Sequence, residues 1–202
     1  YYNVCSIIEI RSFVEVGAGA TCGADITTDN TAPIVTLPYA NNFFIPISTP
    51  FELTGSAVDP DGDPLSYCWE GIDVGPLALL GSPVGSTAIF RSYPPTDTPT
   101  RTFPRMQTII SNQADKRELL PSYTRDLTFA LTARDDRAGG GGVGIDTVRF
   151  KATDLAGPFA VTSPSGSFAF WNKGEYKIVT WDVANTDKAP VNCKKVNIKL
   201  SL

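Results

Sequence analysis

Three aspartates, Asp59, Asp61 and Asp63, stand at alternate positions in the run Asp59-Pro60-Asp61-Gly62-Asp63-Pro64. Carboxylates spaced this way around a tight turn offer oxygens to a common point, which is what a hard cation such as calcium requires. Counted from Asp59, they fall at the first, third and fifth places of an EF-hand loop, and Glu70 falls at the twelfth. The EF-hand itself is excluded. Its sixth place needs a positive backbone φ, normally supplied by glycine, and here it is Pro64, held near about −65°. The residues that follow also read as a strand rather than a loop entering a helix. A different cation loop stays open. In an immunoglobulin-like sandwich the loop after the second strand and the last hairpin lie at one end, which would bring Asp135 and Asp136 beside the acidic turn. Asp59, Asp61, Asp63 and Asp136 are therefore the candidate calcium ligands. The competing reading is a turn whose aspartates cap backbone amides.

Other chemistries are harder to build. The chain has no histidine, which removes Ser-His-Asp triads, Cys-His pairs and the HExxH zinc motif. A pair of carboxylates can hydrolyse glycosides, but no pair is marked out. Gly139 to Gly142 are not a phosphate loop, because no Lys-Ser/Thr and no helix start follow. They read as a hairpin tip. Tyr93, Phe103, Phe168, Phe170 and Trp171 lie in or near expected loops, where aromatic rings stack on sugars or peptides or pack into a core. The four cysteines, Cys5, Cys22, Cys68 and Cys193, include no CxxC, so thiolate zinc binding is not expected. One or two disulfides are expected, with Cys5 and Cys22 the most local pair, against the alternative of buried free thiols such as Cys68.

The elements that must position these residues are mostly strands. Gly and Pro number 17 and 16, and charged residues make up only 19% of the 202 residues. Thr, Val, Ile and Phe recur between the turn residues, the signature of many short strands. The net charge is −4, and Lys and Arg form no basic stripe, so nucleic acid is not an expected partner. No apolar run is long enough to span a membrane, and the first residues lack the pattern of a signal peptide.

Residues 1–32 form a first unit. Ser6-Ile7-Ile8-Glu9 reads as a capping box. Ile7, Ile10, Phe13 and Val14 then share one helical face, and Gly17 and Gly19 can end the helix. Residues 23–32 read as a linker. Residues 33–154 carry about seven expected strands, the number in an immunoglobulin-like sandwich. They are Ile34–Leu37, Phe43–Pro46, Phe51–Ala57, Leu65–Glu70, Thr87–Arg91, Leu127–Ala133 and Ile145–Phe150. Trp69 is expected in the core. Residues 91–122 read as an insertion, Pro-rich at first, then a short helix near Met106, Ile109 and Ile110. Residues 155–202 carry four further expected strands: Phe159–Thr162, Ser167–Trp171, Glu175–Val183 and Val191–Leu202. Together they make an incomplete second sandwich.

Three sets of motifs carry a family resemblance. SAVDPDGDPLSYCWE with LTARDDRAGGGGVGIDTVRF resembles PKD and related immunoglobulin-like domains, although EGIDVG follows Trp69 in place of their usual run. FAVTSPSGSFAFWNKGEYKIVTWDV resembles the start of a second sandwich module of secreted bacterial surface proteins. The order SIIEI, YCWE, RSYPPT, TRTFPR, RAGGGGVG and PVNC is similar to the region after the catalytic domain in secreted reprolysin-like zinc metallopeptidases of Bacteroidetes. No catalytic histidine motif has a counterpart here, so no protease residue and no zinc carry over. The resemblance implies a non-catalytic, extracellular or cell-surface accessory or adhesive module, cut from a larger secreted protein at both ends. Its partners would be a protein or polysaccharide surface. The alternative is a structural subunit of a surface assembly, in which a neighbouring copy of the chain completes the second module by strand exchange.

Overall fold

The computed structural model describes residues 2–24, 26–165 and 171–198. The chain is mainly β, with one longer helix at its start. Helix α1 runs Val4–Glu15. Asn3, not Ser6, caps it, its Oδ1 accepting from the Ser6 N–H at 2.9 Å. The expected capping box is thus displaced by three residues, since an Asn side chain satisfies the same orphan donors. Gly17 N–H donates back to Ser12 O at 2.9 Å, and a 3-10 turn follows at Ala18–Thr21.

The body begins with β1 (Ile34–Thr36) and β2 (Phe44–Pro46). The expected strand Phe51–Ala57 is broken at Gly55 into β3 (Phe51–Thr54) and β4 (Ser56–Val58). A Cβ at position 55 would press on the Leu131 and Leu37 side chains, the latter at 2.9 Å, so glycine lets the chain cross close to them where it changes partner. Next come β5 (Ser66–Gly71), β6 (Thr100–Phe103), helix α2 (Met106–Ser111), β7 (Arg125–Arg134) and β8 (Val143–Thr153). β2, β8, β7 and β5 form one four-stranded sheet in that order, with β2 and β8 parallel and the other pairs antiparallel. β1 pairs with β4, and β3 with β6, each antiparallel.

The core explains why these strands form. In β7, Leu127, Phe129 and Leu131 alternate onto one face and are fully buried. Phe150 of β8 stacks on Phe129 with ring centroids 5.6 Å apart. The β3–β6 pair lays Phe51 and Phe103 over them, Phe103 meeting Phe129 edge-on at 4.7 Å. Trp69 is 2% exposed and donates its indole N–H to Pro99 O at 2.9 Å.

Two expectations change here. Residues 91–122 are no surface insertion, because β6 lies within them and Phe103, expected near a loop, is fully buried. Thr87–Arg91 forms no strand, only a bridge between Phe90 and Glu118, although Ile89 and Phe90 are buried. Burial here comes from packing beneath a loop rather than from a ladder.

After β8 the described chain forms β9 (Ala160–Ser163) and β10 (Thr180–Asp182), paired antiparallel. Most of the expected strand Ser167–Trp171 and the end of Val191–Leu202 lie outside the described residues. Of Glu175–Val183 only β10 is a strand, and residues 191–198 contain none. All four cysteines are free thiols, with Cys5, Cys22 and Cys193 exposed. The expected disulfide does not form: Cys22 Sγ instead faces Ala18 O at 3.4 Å within its own turn.

Candidate functional site: an acidic end and an arginine-lined hollow

The acidic turn and the β7–β8 hairpin do share one end of the molecule. Asp59 Oδ1 accepts from the N–H groups of Asp61 and Asp63, at 2.9 and 3.1 Å, and Gly62 takes a positive φ of 81°. This is an aspartate-built turn. Asp59 Oδ2 is buried without a hydrogen-bond partner. Asp61 Oδ2 accepts from the Thr31 N–H at 2.6 Å. Asp63 faces the Arg137 guanidinium at 3.4 Å. Asp136 accepts from the Ser66 hydroxyl at 2.7 Å.

Asp135 is the most heavily used of these carboxylates. It accepts from Asn30 Nδ2 at 2.7 Å, from the Gly142 N–H at 2.8 Å and from the Arg137 N–H at 3.2 Å. Burial pushes its carboxyl up, but those donors and the Arg137 charge outweigh burial and hold it below the usual carboxylate range. Arg137 also donates to Asp29 O at 3.1 Å and to Asn30 Oδ1 at 3.4 Å. A protein guanidinium thus stands among the acidic groups, in the place where a cation was expected. Among the described residues, no three His, Cys, Asp or Glu side chains are grouped to hold a metal ion. Two of the four glycines have a packing role as well. A Cβ on Gly142 would lie 2.6 Å from Ala32 Cα, and one on Gly140 would lie 2.7 Å from Thr28 Cγ2. The linker lies flat on the hairpin because those side chains are missing.

A second polar group was not legible in the sequence. Glu118 has a side chain with no exposure, and it pairs with Arg101 at 2.7 Å and Arg105 at 3.5 Å. It also accepts from the Arg105 backbone N–H at 3.1 Å. Arg101 donates to the carbonyls of Trp69 and Arg91, at 2.6 and 2.9 Å, and so joins β5, β6 and the segment before Tyr93. Three guanidinium carbons surround the Tyr93 ring: Arg105 at 4.0 Å, Arg101 at 4.9 Å and Arg91 at 5.1 Å from its centroid. Burial and the nearby Glu118 charge push the Tyr93 phenol up. Beside this cluster opens a hollow of about 480 Å3 between β5, the Pro-rich 93–98 segment, β6 and the start of α2. Of the aromatics named as binding candidates, Tyr93 lines this hollow, Phe103 is core, Trp171 is 43% exposed, and Phe168 and Phe170 lie outside the described residues. The available signal was three arginines at 91, 101 and 105 inside one Pro/Thr-rich stretch.

A third arrangement fixes the N-terminal unit. Glu70 on β5 is 1% exposed, and it accepts from the backbone N–H of Val4 at 2.7 Å and from the Ser92 hydroxyl. Arg134 donates to Tyr2 O at 2.8 Å. Val4 itself is 1% exposed, whereas Ile8, Ile10, Phe13 and Val14 of the same helix are all about half exposed. The helix is held by its first turn, and of its expected apolar face Ile10, Phe13 and Val14 are open while Ile7 is partly buried. No helix among the described residues is long and apolar enough to cross a membrane. Set against known proteins, the chain matches no family model, no curated protein and no solved structure.

Proposed function

We propose that this chain is a non-catalytic, extracellular accessory module, an immunoglobulin-like sandwich that works within a larger secreted bacterial protein and meets a protein or polysaccharide surface. The metallopeptidase relationship comes from the sequence resemblance alone. The observation that carries the reading is α1. Its first turn is fixed to the body through buried Glu70, while Ile10, Phe13 and Val14 on its apolar face are each about half exposed. A short helix with an uncovered apolar flank is marginal in water and marks a contact surface. The carboxylates at the acidic end support the non-catalytic half of the reading, since each is engaged in shaping a turn or holding the linker.

Hydrogen exchange tests this. In the isolated 202-residue chain, amides of residues 7–16 should exchange fast. In a longer secreted protein that contains the chain, they should be protected at least tenfold. Equal exchange in both, or peptidase or glycosidase activity in the isolated chain, would sink the proposal.

A second reading, strand exchange between copies, rests on the segment after Leu155. Tyr176 and Ile178 are 103% and 80% exposed, and Ile198 is 67% exposed, in stretches that form no ladder among the described residues. Light scattering separates the readings: a monomer at high concentration counts against strand exchange.

A further inference from the structure

We propose that the hollow beside Tyr93 binds an acidic saccharide, taking the carboxylate of a uronic-acid unit against Arg105 and Arg101, the two arginines of its lining. This rests on the accessory-module reading and names the ligand class of its surface.

Charge is the first argument. The chain is acidic overall at −4. Yet the lining of this hollow includes Arg101 and Arg105 and no Asp or Glu. Glu118 lies behind it, fully buried, and offsets only one of the three guanidinium charges around Tyr93. No carboxylate pairs with Arg91 among the described residues. The second argument is unspent hydrogen-bonding capacity. Tyr93 Oη and Arg101 Nε are both buried and have no partner. A buried donor without an acceptor costs free energy that an incoming oxygen recovers. A planar carboxylate matches the guanidinium fork.

The rest of the wall selects the body that carries the anion. Thr96, Thr98, Thr100 and Thr102 bring hydroxyl oxygens; three of the hydroxyls already bond within the protein, to Thr98 O, Thr54 and Glu52, and keep acceptor capacity for sugar hydroxyls. Pro94, Pro95 and Met106 give apolar surface for the C–H face of a ring. A volume of about 480 Å3 is in the range of small-ligand sites. An acidic peptide would satisfy the arginines too, since arginine clusters also read acidic motifs, but it could not gain the main-chain bonds of an added strand here. The edge here is taken. β5 ends the four-stranded sheet, and its outer side already exchanges main-chain bonds between Tyr67 and Thr96, at 2.7 and 2.9 Å. Arg101 occupies the Trp69 carbonyl on the same strand.

Calorimetry on the 202-residue chain decides the matter, with tri-galacturonate as the probe. Its methyl ester is the neutral control, and hexaglutamate is the peptide control. Tri-galacturonate should bind, more weakly as salt rises, and the ester should bind at least tenfold less tightly. Arg105→Gln should weaken binding about tenfold with the circular dichroism spectrum unchanged, and Arg91→Gln, at the Tyr93 ring but outside the lining, should weaken it less. Lys173→Gln, on an exposed turn, should change nothing. The proposal is overturned if no probe binds, if the ester binds equally, if neither arginine variant matters, or if hexaglutamate binds more tightly. Any of these leaves the α1 exchange result standing, so the ligand class and the accessory role fail separately.

Discussion

At one end of the molecule a single guanidinium, Arg137, stands among carboxylates; beside β6 a single carboxylate, Glu118, stands among guanidinium groups. The two clusters are inverted in charge, but they also differ in how complete they are. At the acidic end Asp61, Asp63, Asp135 and Asp136 each accept from a named donor, and backbone N–H groups of the linker and hairpin share that work with the side chains of Asn30, Ser66 and Arg137. In the arginine cluster the carboxylate is fully used, while cations and two buried polar atoms are left over. The acidic end keeps one buried oxygen, Asp59 Oδ2, without a partner, yet its carboxylates are held to a shape, whereas a cluster with surplus charge facing a hollow is prepared to meet something else.

Removing the central carboxylate should have the largest effect. Glu118→Gln leaves Arg101 without its charge partner behind the hollow, and breaking a buried pair costs about 3 kcal/mol or more. Urea denaturation at neutral pH checks this, and a loss under 1 kcal/mol would mean the cluster is far wetter than the geometry implies. Asp135→Asn should cost about 2 kcal/mol at pH 7, the scale of hydrogen bonds to a charged acceptor. Because the folded carboxyl is held below its unfolded value, its contribution is present above the unfolded pKa. It is lost as pH falls through the folded value. The gap between wild type and Asp135→Asn should therefore close in acid, as pH falls through the lowered folded pKa, and a gap that widened in acid would contradict the assignment.

Arg137→Ala should cost less, about 1 kcal/mol, because its ion pair is partly exposed. It should also release amides 28–32 to exchange and give the thermal midpoint a response to calcium larger than that of wild type. Equal calcium responses in both would show that Arg137 is not in the cation's place. The smallest effect belongs to Arg91→Gln. With no carboxylate partner it should change stability by under about 0.5 kcal/mol, which separates its expected role in binding from any role in folding.

Local pattern made much of this readable. The alternation of Leu127, Phe129 and Leu131, and the aromatic strand at Trp69, follow from burying one face of a sheet. Gly55 hid a partner change, because the exchange of β4 for β3 depends on contacts with Leu37 that lie outside any local window. The 91–122 stretch looked like an excursion because its prolines obscured β6. Only the pairing of Phe103 with Phe51 shows that it completes the core. The aspartates were legible as residues of interest, and their partners were not. Thr31, Asn30 and Gly142 reach them from as far as 105 positions away in the chain. Glu118 gave no sign, since a lone glutamate in a polar run looks solvated until the fold encloses it.

The grip of Glu70 on Val4 has a mechanical meaning. A pull on the start of the chain enters the body at that bond and at the Arg134 bond to Tyr2, near the end of the four-stranded sheet's edge strand, before it can reach the linker held by Asp61 and Asp135. Between those two anchorages lie roughly two dozen residues, about 80 Å when fully drawn out. The two bonds therefore behave as a fuse: while they hold, the helix stays close to the sheet, and once they part, the same helix swings on a long leash with the core untouched.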